Sequence, residues 1–252
     1  MLNDGLKLMH GDCLELMKEI PDKSVDMCLT DPPYGVTGNS VCKWDSVIPV
    51  EPMWVELKRI VKENGVICLF GVEPFSSHLR LSNLKMYKYD WIWNKVNKFT
   101  GFLNAKKRPM TDHEIISIFY SKQCLYNPQK REGGYVTRKY GTKNKSVYNS
   151  PTSINRGEKV NGLYPKKILD IPSYFTGKTI HPTQKPVALL EYLIKTYTNE
   201  NEIVLDFTMG SGSTGVACKN LNRKFVGIEK EEKYFDIAKQ RILGVLENEQ
   251  IK

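Results

Sequence analysis

Short apolar runs that alternate with helical stretches constrain this chain more than any other feature. A strand-helix-strand rhythm returns each strand parallel to the last and requires helices on both faces of the sheet. Leu6–Met9, Val25–Thr30, Val66–Phe70, Tyr87–Trp93 and Glu114–Phe119 are short, rich in β-formers and bounded by Gly, Pro, Asp or Asn, which predicts strands. Between them, Asp12–Ile20 and Pro49–Lys62 are predicted helices, the second with Pro near its start and Asn64-Gly65 at its end. The rhythm stops at about 121–180 and resumes after His181. There Thr183 is expected to cap a helix that Pro186 enters near its first turn, with Val187, Leu190, Leu193, Ile194 and Tyr197 on one face. A strand at Ile203–Asp206, a Gly-rich turn, a helix at Ser213–Asn220, a strand at Phe225–Ile228 and an amphipathic helix at Glu231–Leu246 complete the pattern. The expected fold is α/β, a doubly wound and mostly parallel sheet built from residues 1–120 and 181–252, with 121–180 inserted.

Charge separates the insertion from the rest. The 252 residues carry a net charge of +9, and residues 121–180 hold nine Lys and three Arg against Glu132, Glu158 and Asp170. That one segment accounts for the whole excess, and the remainder of the chain is balanced. Its tyrosines (Tyr126, Tyr135, Tyr140, Tyr148, Tyr164 and Tyr174) and its lack of repeated tracts predict an ordered module. A solvated basic loop is the plain interpretation and a polyanion-binding surface the sharper one. The six cysteines lie at least 14 positions apart, so no CxxC pair starts a zinc site, and free core thiols with no metal are expected. No run approaches the roughly 18 apolar residues of a membrane span. The start, MLNDGLKLMHGD, is acidic where a signal peptide is basic and then apolar, so a soluble protein with no membrane partner is expected.

Two constellations carry chemistry. Gly210-Ser211-Gly212-Ser213-Thr214-Gly215 follows the strand ending in Asp206 and opens a helix, a GxGxxG turn through which backbone can approach a ligand. Glu229 lies 19 residues after Gly210 at a strand end, where a carboxylate can accept hydrogen bonds from ribose hydroxyls. NAD, FAD and S-adenosylmethionine all present an adenosine to such a turn. Asp206 just before the loop favours the cationic methyl donor, because a carboxylate there faces a pyrophosphate badly. The second constellation is Asp31-Pro32-Pro33-Tyr34, directly after a predicted strand. Two prolines stiffen the backbone and remove two N–H donors, so carbonyl oxygens are expected to stand uncompensated in the site. With the Asp31 carboxylate and the Tyr34 ring, that set suits an exocyclic amine on a planar base.

On these residues the chain resembles the beta-class DNA amino-methyltransferases. The matching blocks are Gly11-Asp12, Thr30-Asp31-Pro32-Pro33-Tyr34-Gly35, His181-Pro182-Thr183-Gln184-Lys185-Pro186, Asp206-Phe207-Thr208-Met209-Gly210-Ser211-Gly212 and Gly227-Ile228-Glu229, in that family's order. The resemblance implies a Rossmann-like methyltransferase fold in permuted order, with 121–180 as target-recognition segment. It implies that Asp31, Pro32, Pro33 and Tyr34 hold the target amine and its base. S-adenosylmethionine would be bound by Asp12, Asp31, Lys185, Asp206, Phe207, Thr208, Gly210, Gly212, Ser213 and Glu229, with Thr183 helping to close the pocket. The loop Gly35–Asp45 would cover the extruded base, with Trp44 a candidate cover residue. Lys130, Arg131, Arg138, Lys139, Lys143 and Lys145 would contact double-stranded DNA, and the basic, aromatic stretch Lys95–Arg108 would line the same cleft.

The expected activity is methyl transfer from S-adenosylmethionine to adenine N6 of a flipped-out base in DNA, in a cytoplasmic protein of a bacterium or phage. The resemblance leans toward adenine because Ser in place of Asp31 is commoner among cytosine-N4 enzymes of that family; cytosine N4 is the alternative. An RNA or protein-glutamine substrate, or a non-catalytic DNA-binding module, are more distant alternatives. The recognition sequence, a homodimer and a cognate restriction endonuclease stay open.

Overall fold

Chain order in the computed structural model runs β1 (Leu6–His10), α1 (Cys13–Leu16), β2 (Val25–Thr30), α2 (Val50–Ile60), β3 (Val61–Gly71), α3 (Phe75–Ser82), β4 (Tyr87–Asn94), β5 (His113–Phe119), β6 (Ile168–Asp170), α4 (Val187–Tyr197), β7 (Ile203–Asp206), α5 (Ser213–Asn220), β8 (Lys224–Glu229) and α6 (Glu232–Leu243). The structure describes residues 5–35, 46–132, 162–173 and 184–245. The strands hydrogen-bond in the order β1-β8-β7-β2-β3-β5-β4-β6. All neighbours are parallel except β5, which runs antiparallel to both β3 and β4. This is the α/β, Rossmann-like architecture expected.

The central strands are apolar on both faces, as a sheet covered twice must be. In β3, Val66, Cys68 and Phe70 join one core cluster with Leu190 of α4, Val216 of α5 and Ala238 of α6. The alternate residues Ile67 and Leu69 join the other, with Met53 and Leu57 of α2 and Leu79 of α3. One sequence run therefore feeds two cores, because successive strand side chains point to opposite faces.

Several elements differ from expectation. The Asp12–Ile20 helix is a single α turn, capped by the Asp12 side chain accepting from Leu14 N–H at 3.0 Å, followed by a 3₁₀ turn at Met17–Glu19. Helix α2 stops at Ile60 and β3 starts at Val61, four residues before Gly65. Its register with β2 steps from Val25↔Val61 to Met27↔Val66, so Lys62–Gly65 loop out between the paired positions. Pro186 occupies the N-cap position of α4, outside its first turn, and no side chain caps it; Thr183 lies outside the described residues. Helix α6 ends at Leu243, where Gly244 (φ 82°) closes it. Helix α3 has no expected counterpart, since Phe75 and Leu79 are its only buried large apolar anchors in eight residues.

The second compact unit spans Pro128–Lys166, narrower than the 121–180 insertion. Cys124 and Leu169 are buried in the main core, and β6 pairs with β4. Two apolar anchors and a short edge strand thus draw the flanks of the basic segment into the sheet unit. Within the second unit, Arg131 and Leu163 exchange two backbone hydrogen bonds of 2.9 and 3.0 Å, and the Lys130 ammonium sits 5.4 Å from the Tyr164 ring centre. Five cysteines are described, all buried and free. Among the described residues no His, Cys, Asp or Glu cluster could hold a metal, and no helix is long and apolar enough to cross a membrane.

Candidate active site

Strands β2 and β7 lie side by side, with Cys28 opposite Leu205. From β2 the chain crosses by α2 to β3 on one side, and from β7 it crosses by α5 to β8 on the other. That reversal opens a crevice at the carboxyl ends of the two strands, where α/β sheets bind ligands. Asp31 follows the last residue of β2 and Asp206 ends β7, so the two sequence constellations meet there.

They are stitched together by hydrogen bonds. The Thr30 hydroxyl donates to Asp206 Oδ1 at 3.1 Å and accepts from Phe207 N–H at 3.1 Å. The Thr208 hydroxyl donates to the Asp31 carbonyl at 3.1 Å. The Asp31 carbonyl is thus compensated, contrary to the expectation for that block. Asp206 also accepts from Thr208 N–H at 3.2 Å and from the Thr214 hydroxyl at 2.6 Å. Burial pushes its carboxyl up to about 7 in spite of these donors.

The glycines of the turn do different work. Gly212 has φ 78°, and a Cβ there would lie 2.9 Å from Ala238 Cβ; a Cβ on Gly215 would lie 2.4 Å from Ile242 Cδ1, so both let α6 approach the turn. A Cβ on Gly210 would meet nothing within 4 Å. Gly210 N–H donates to Glu229 Oε2 and Glu231 N–H to Glu229 Oε1, each at 2.8 Å. The Lys230 N–H also approaches this carboxylate, so its four acceptor positions meet three backbone donors. Arg241, buried on α6, donates to the Ser211 carbonyl and, at 2.9 Å, to the Ser211 hydroxyl, which pins the turn from behind.

On the other side of the crevice lies a buried chain of alternating charge. The Lys185 ammonium pairs with Asp31 and lies 3.2 Å from Glu114 Oε2, while Lys95 lies 2.8 Å from Glu114 Oε1. Lys185, Glu114 and Lys95 are each less than a tenth exposed. The Tyr34 hydroxyl also donates to the Asp31 carboxylate, and its ring packs at 5.2 Å from that of Phe75. Burial pushes the Asp31 carboxyl up against the pull of Lys185, while Glu114, held between two ammonium groups, stays below the usual carboxylate range. Glu114 and Lys95 belong to neither sequence constellation. Glu114 lies in the mostly apolar strand His113–Phe119, where a carboxylate is costly unless paired, and that is the sequence signal for its role.

A cavity of about 320 Å³ joins these parts, lined by Asp12, Asp31, Tyr34, Lys185, Asp206 and Glu229 among others. Pro32, Pro33, Phe207, Thr208, Gly210 and Ser213 also line it, whereas Gly212 faces α6 and is not among the lining residues. Of the expected DNA contacts, Lys130 and Arg131 are exposed in the second unit; Arg138, Lys139, Lys143 and Lys145, and also Trp44 with most of its loop, lie outside the described residues.

Fold and site together define an α/β protein with a crevice at the carboxyl ends of two adjacent parallel strands, lined by the Gly-rich turn on one side and the Asp31–Tyr34 block on the other. Over residues 25–240 the chain matches the DNA methylase family of N6 and N4 methyltransferases, and it belongs to that family. It is 31% identical over 279 aligned positions to the Type II methyltransferase M.HinfI of Haemophilus influenzae, covering 98% of this chain and 71% of that one. A crystal structure of an M1.HpyAVI–SAM complex superposes with a TM-score of 0.63 at 30% identity, covering 94% of this chain and 99% of that one. The cytosine-N4-specific PvuII DNA methyltransferase superposes with a TM-score of 0.66 at 16% identity, over 97% and 89% of the two chains, a likeness of fold.

Proposed function

We propose that this chain is a site-specific DNA methyltransferase that transfers a methyl group from S-adenosylmethionine to adenine N6. The observation that carries the proposal is the junction of Asp31 and the Gly210–Gly215 turn in one cavity across adjacent parallel strands. The lining carboxylates of Asp12, Asp206 and Glu229 suit a cationic cofactor with a ribose and would repel a pyrophosphate. When bound, S-adenosylmethionine supplies an electrophilic methyl group on a sulfonium. Glu229, which lines the cavity and keeps acceptor capacity beyond its three backbone donors, would hold a ribose hydroxyl, and Asp206 would face the cationic end.

The chain's own residues then present the amine. The Asp31 carboxylate accepts one N–H of the extruded adenine and the Pro32 carbonyl the other, which turns the nitrogen lone pair toward the cofactor side of the cavity. Tyr34 and the Pro32-Pro33 edge hold the base plane. Lys185 favours the anionic form of Asp31 against the push of burial, and Glu114 fixes Lys185 from behind. Methylation leaves the nitrogen with a surplus proton, and Asp31, pushed up by burial, is the adjacent acceptor for it. The amine is itself the nucleophile, so no covalent enzyme intermediate is required. Lys130 and Arg131 in the second unit would neutralise phosphates of the duplex.

Nucleoside analysis after incubation of duplex DNA with labelled S-adenosylmethionine tests the proposal. Label in N6-methyladenosine is expected. Label in N4-methylcytosine instead would overturn the adenine assignment and keep the family.

A further inference from the structure

The connection between β4 and β5, residues 95–112, is built as a stalk with an apolar tip, and the inference drawn from it rests on the DNA-adenine reading. Strand β4 is parallel to β2 by way of β3 and β5, so its carboxyl end at Asn94 lies on the edge of the sheet that carries Asp31. Three strand spacings, about 14 Å, separate them.

The base of the stalk is pinned to the catalytic charge chain. Lys95 N–H donates to the Asp112 carbonyl at 2.9 Å, and the Lys95 ammonium pairs with Glu114, which holds Lys185 and through it Asp31. The Asn97 side chain accepts from Ser173 N–H at 2.9 Å and donates to the Ser173 carbonyl at 3.1 Å. Between them Val96, a β-branched residue, is held at φ 60°. Such strain persists only where the surroundings over-determine it, and it concentrates at functional sites.

Higher up, Thr100 and Thr111 exchange backbone hydrogen bonds of 2.8 and 3.0 Å. The chain then makes a 3₁₀ turn at Phe102–Asn104, and the Asn104 carbonyl accepts from Lys107 and Arg108 N–H at 2.8 and 3.0 Å. On this ordered frame Phe102 is 67% and Leu103 86% exposed. Two large apolar side chains on a stiff tip are costly in water unless they meet a partner. Beside them Lys106, Lys107 and Arg108 are exposed, and residues 95–111 contain no acidic side chain.

The geometry points to a wedge for the DNA duplex. Phe102 and Leu103 enter the base stack beside the target nucleotide and occupy the space left by the extruded base, while Lys106, Lys107 and Arg108 hold the flanking phosphates. A duplex offers both surfaces the tip requires, an apolar stack inside an anionic rim. A second copy of this chain fits less well, because a two-fold contact through the tip would set the same basic residues against themselves.

The test uses the full chain and duplex oligonucleotides that carry its methylation site, mapped beforehand by sequencing DNA from cells expressing it, in two forms: adenine at the target position for methylation rates, and 2-aminopurine there for fluorescence. The variant F102A/L103A is expected to bind S-adenosylmethionine as the wild type does. Its probe fluorescence on binding and its methylation rate should fall about tenfold, which is about 1.4 kcal/mol. On a duplex with an abasic position opposite the target, where the pair is already open, the deficit should shrink to about twofold. F102W, which keeps an apolar tip, should stay near wild type. Equal deficits on intact and opened duplexes, or no deficit on either, would overturn the wedge. So would a shift from dimer to monomer in light scattering with extrusion unchanged, which would make the tip a self-interface. A wild-type chain that neither brightens the probe nor methylates adenine would instead remove the adenine reading, and the wedge with it.

Discussion

Asp31 and Asp206 stand at the carboxyl ends of neighbouring parallel strands, and burial pushes both carboxyls up, yet the protein compensates the two with different partners. Asp31 has an ammonium partner in Lys185, itself fixed by Glu114. Among the described residues Asp206 has only neutral donors, the Thr30 and Thr214 hydroxyls and one backbone N–H, and burial pushes its carboxyl up to about 7. Neutral donors offset less of the cost of burying a charge than an ion pair does. The first carboxylate therefore has a built-in cation that favours its ionised form and offsets part of the upward push of burial. The second is left under-compensated beside a cavity, which suits a site whose missing positive charge arrives with the cofactor.

Removing Asp31 should have the largest effect. Asp31→Ala is expected to lower kcat by about 10³-fold, the scale for loss of a preorganised polar group at the reacting centre. Calorimetric affinity for S-adenosylmethionine should change little, and a parallel loss of affinity would place Asp31 with the cofactor, erasing the contrast. Lys185→Met comes next. It leaves the half-buried Asp31 and the buried Glu114 without their shared cation, and should cost up to about 3–5 kcal/mol of stability in denaturant unfolding. Because Lys185 pulls the Asp31 carboxyl down, the acid limb of the pH–rate profile should move to higher pH in the variant. An unmoved limb would mean that Lys185 does not set the charge of Asp31.

The smallest effect sharpens the other half of the comparison. Asp206 has a folded value of about 7 against an ordinary 3.8, so its protonated form stabilises the fold fully below the lower value and that contribution is gone above the upper one. A cationic ligand reverses the preference, because it binds the ionised form and expels the proton. Affinity for S-adenosylmethionine should rise with pH, by up to about tenfold per unit, and level off above about pH 7. Calorimetry in two buffers of different ionisation enthalpy should report proton release at about pH 6, and Asp206→Asn should abolish it. Affinity independent of pH between about 5.5 and 8 would show that Asp206 is only a clasp for the turn.

Much of this site is legible in the amino-acid sequence. The strands that lead to Asp31 and Asp206 are short apolar runs ended by turn residues, and their observed bounds match the predicted ones to within a residue. The GxGxxG turn is legible for the same local reason, although Gly212 serves helix packing rather than the cavity. Glu114, Lys95 and Arg241 are not legible in this way. Lys95 and Arg241 look in sequence like ordinary charged residues, Glu114 is marked only by its place in a mostly apolar strand, and each acquires its role from a partner elsewhere in the fold. The Asp31–Lys185 pair itself spans 154 positions. The true limits of the insertion are hidden because Cys124 and Leu169 are single apolar anchors within polar surroundings, too sparse for a periodic signal.

By itself, the sequence determined the order of elements, the two chemical blocks, and the confinement of the charge excess to one segment. These follow from short-range properties, namely side-chain period, turn chemistry and composition. Only the tertiary structure decided that the two blocks share one cavity, that one aspartate is paired and the other is not, and that Phe102 and Leu103 stand exposed on the catalytic edge. Strand order, burial and ionisation depend on contacts between residues far apart in the chain, and no local pattern encodes which of them will meet.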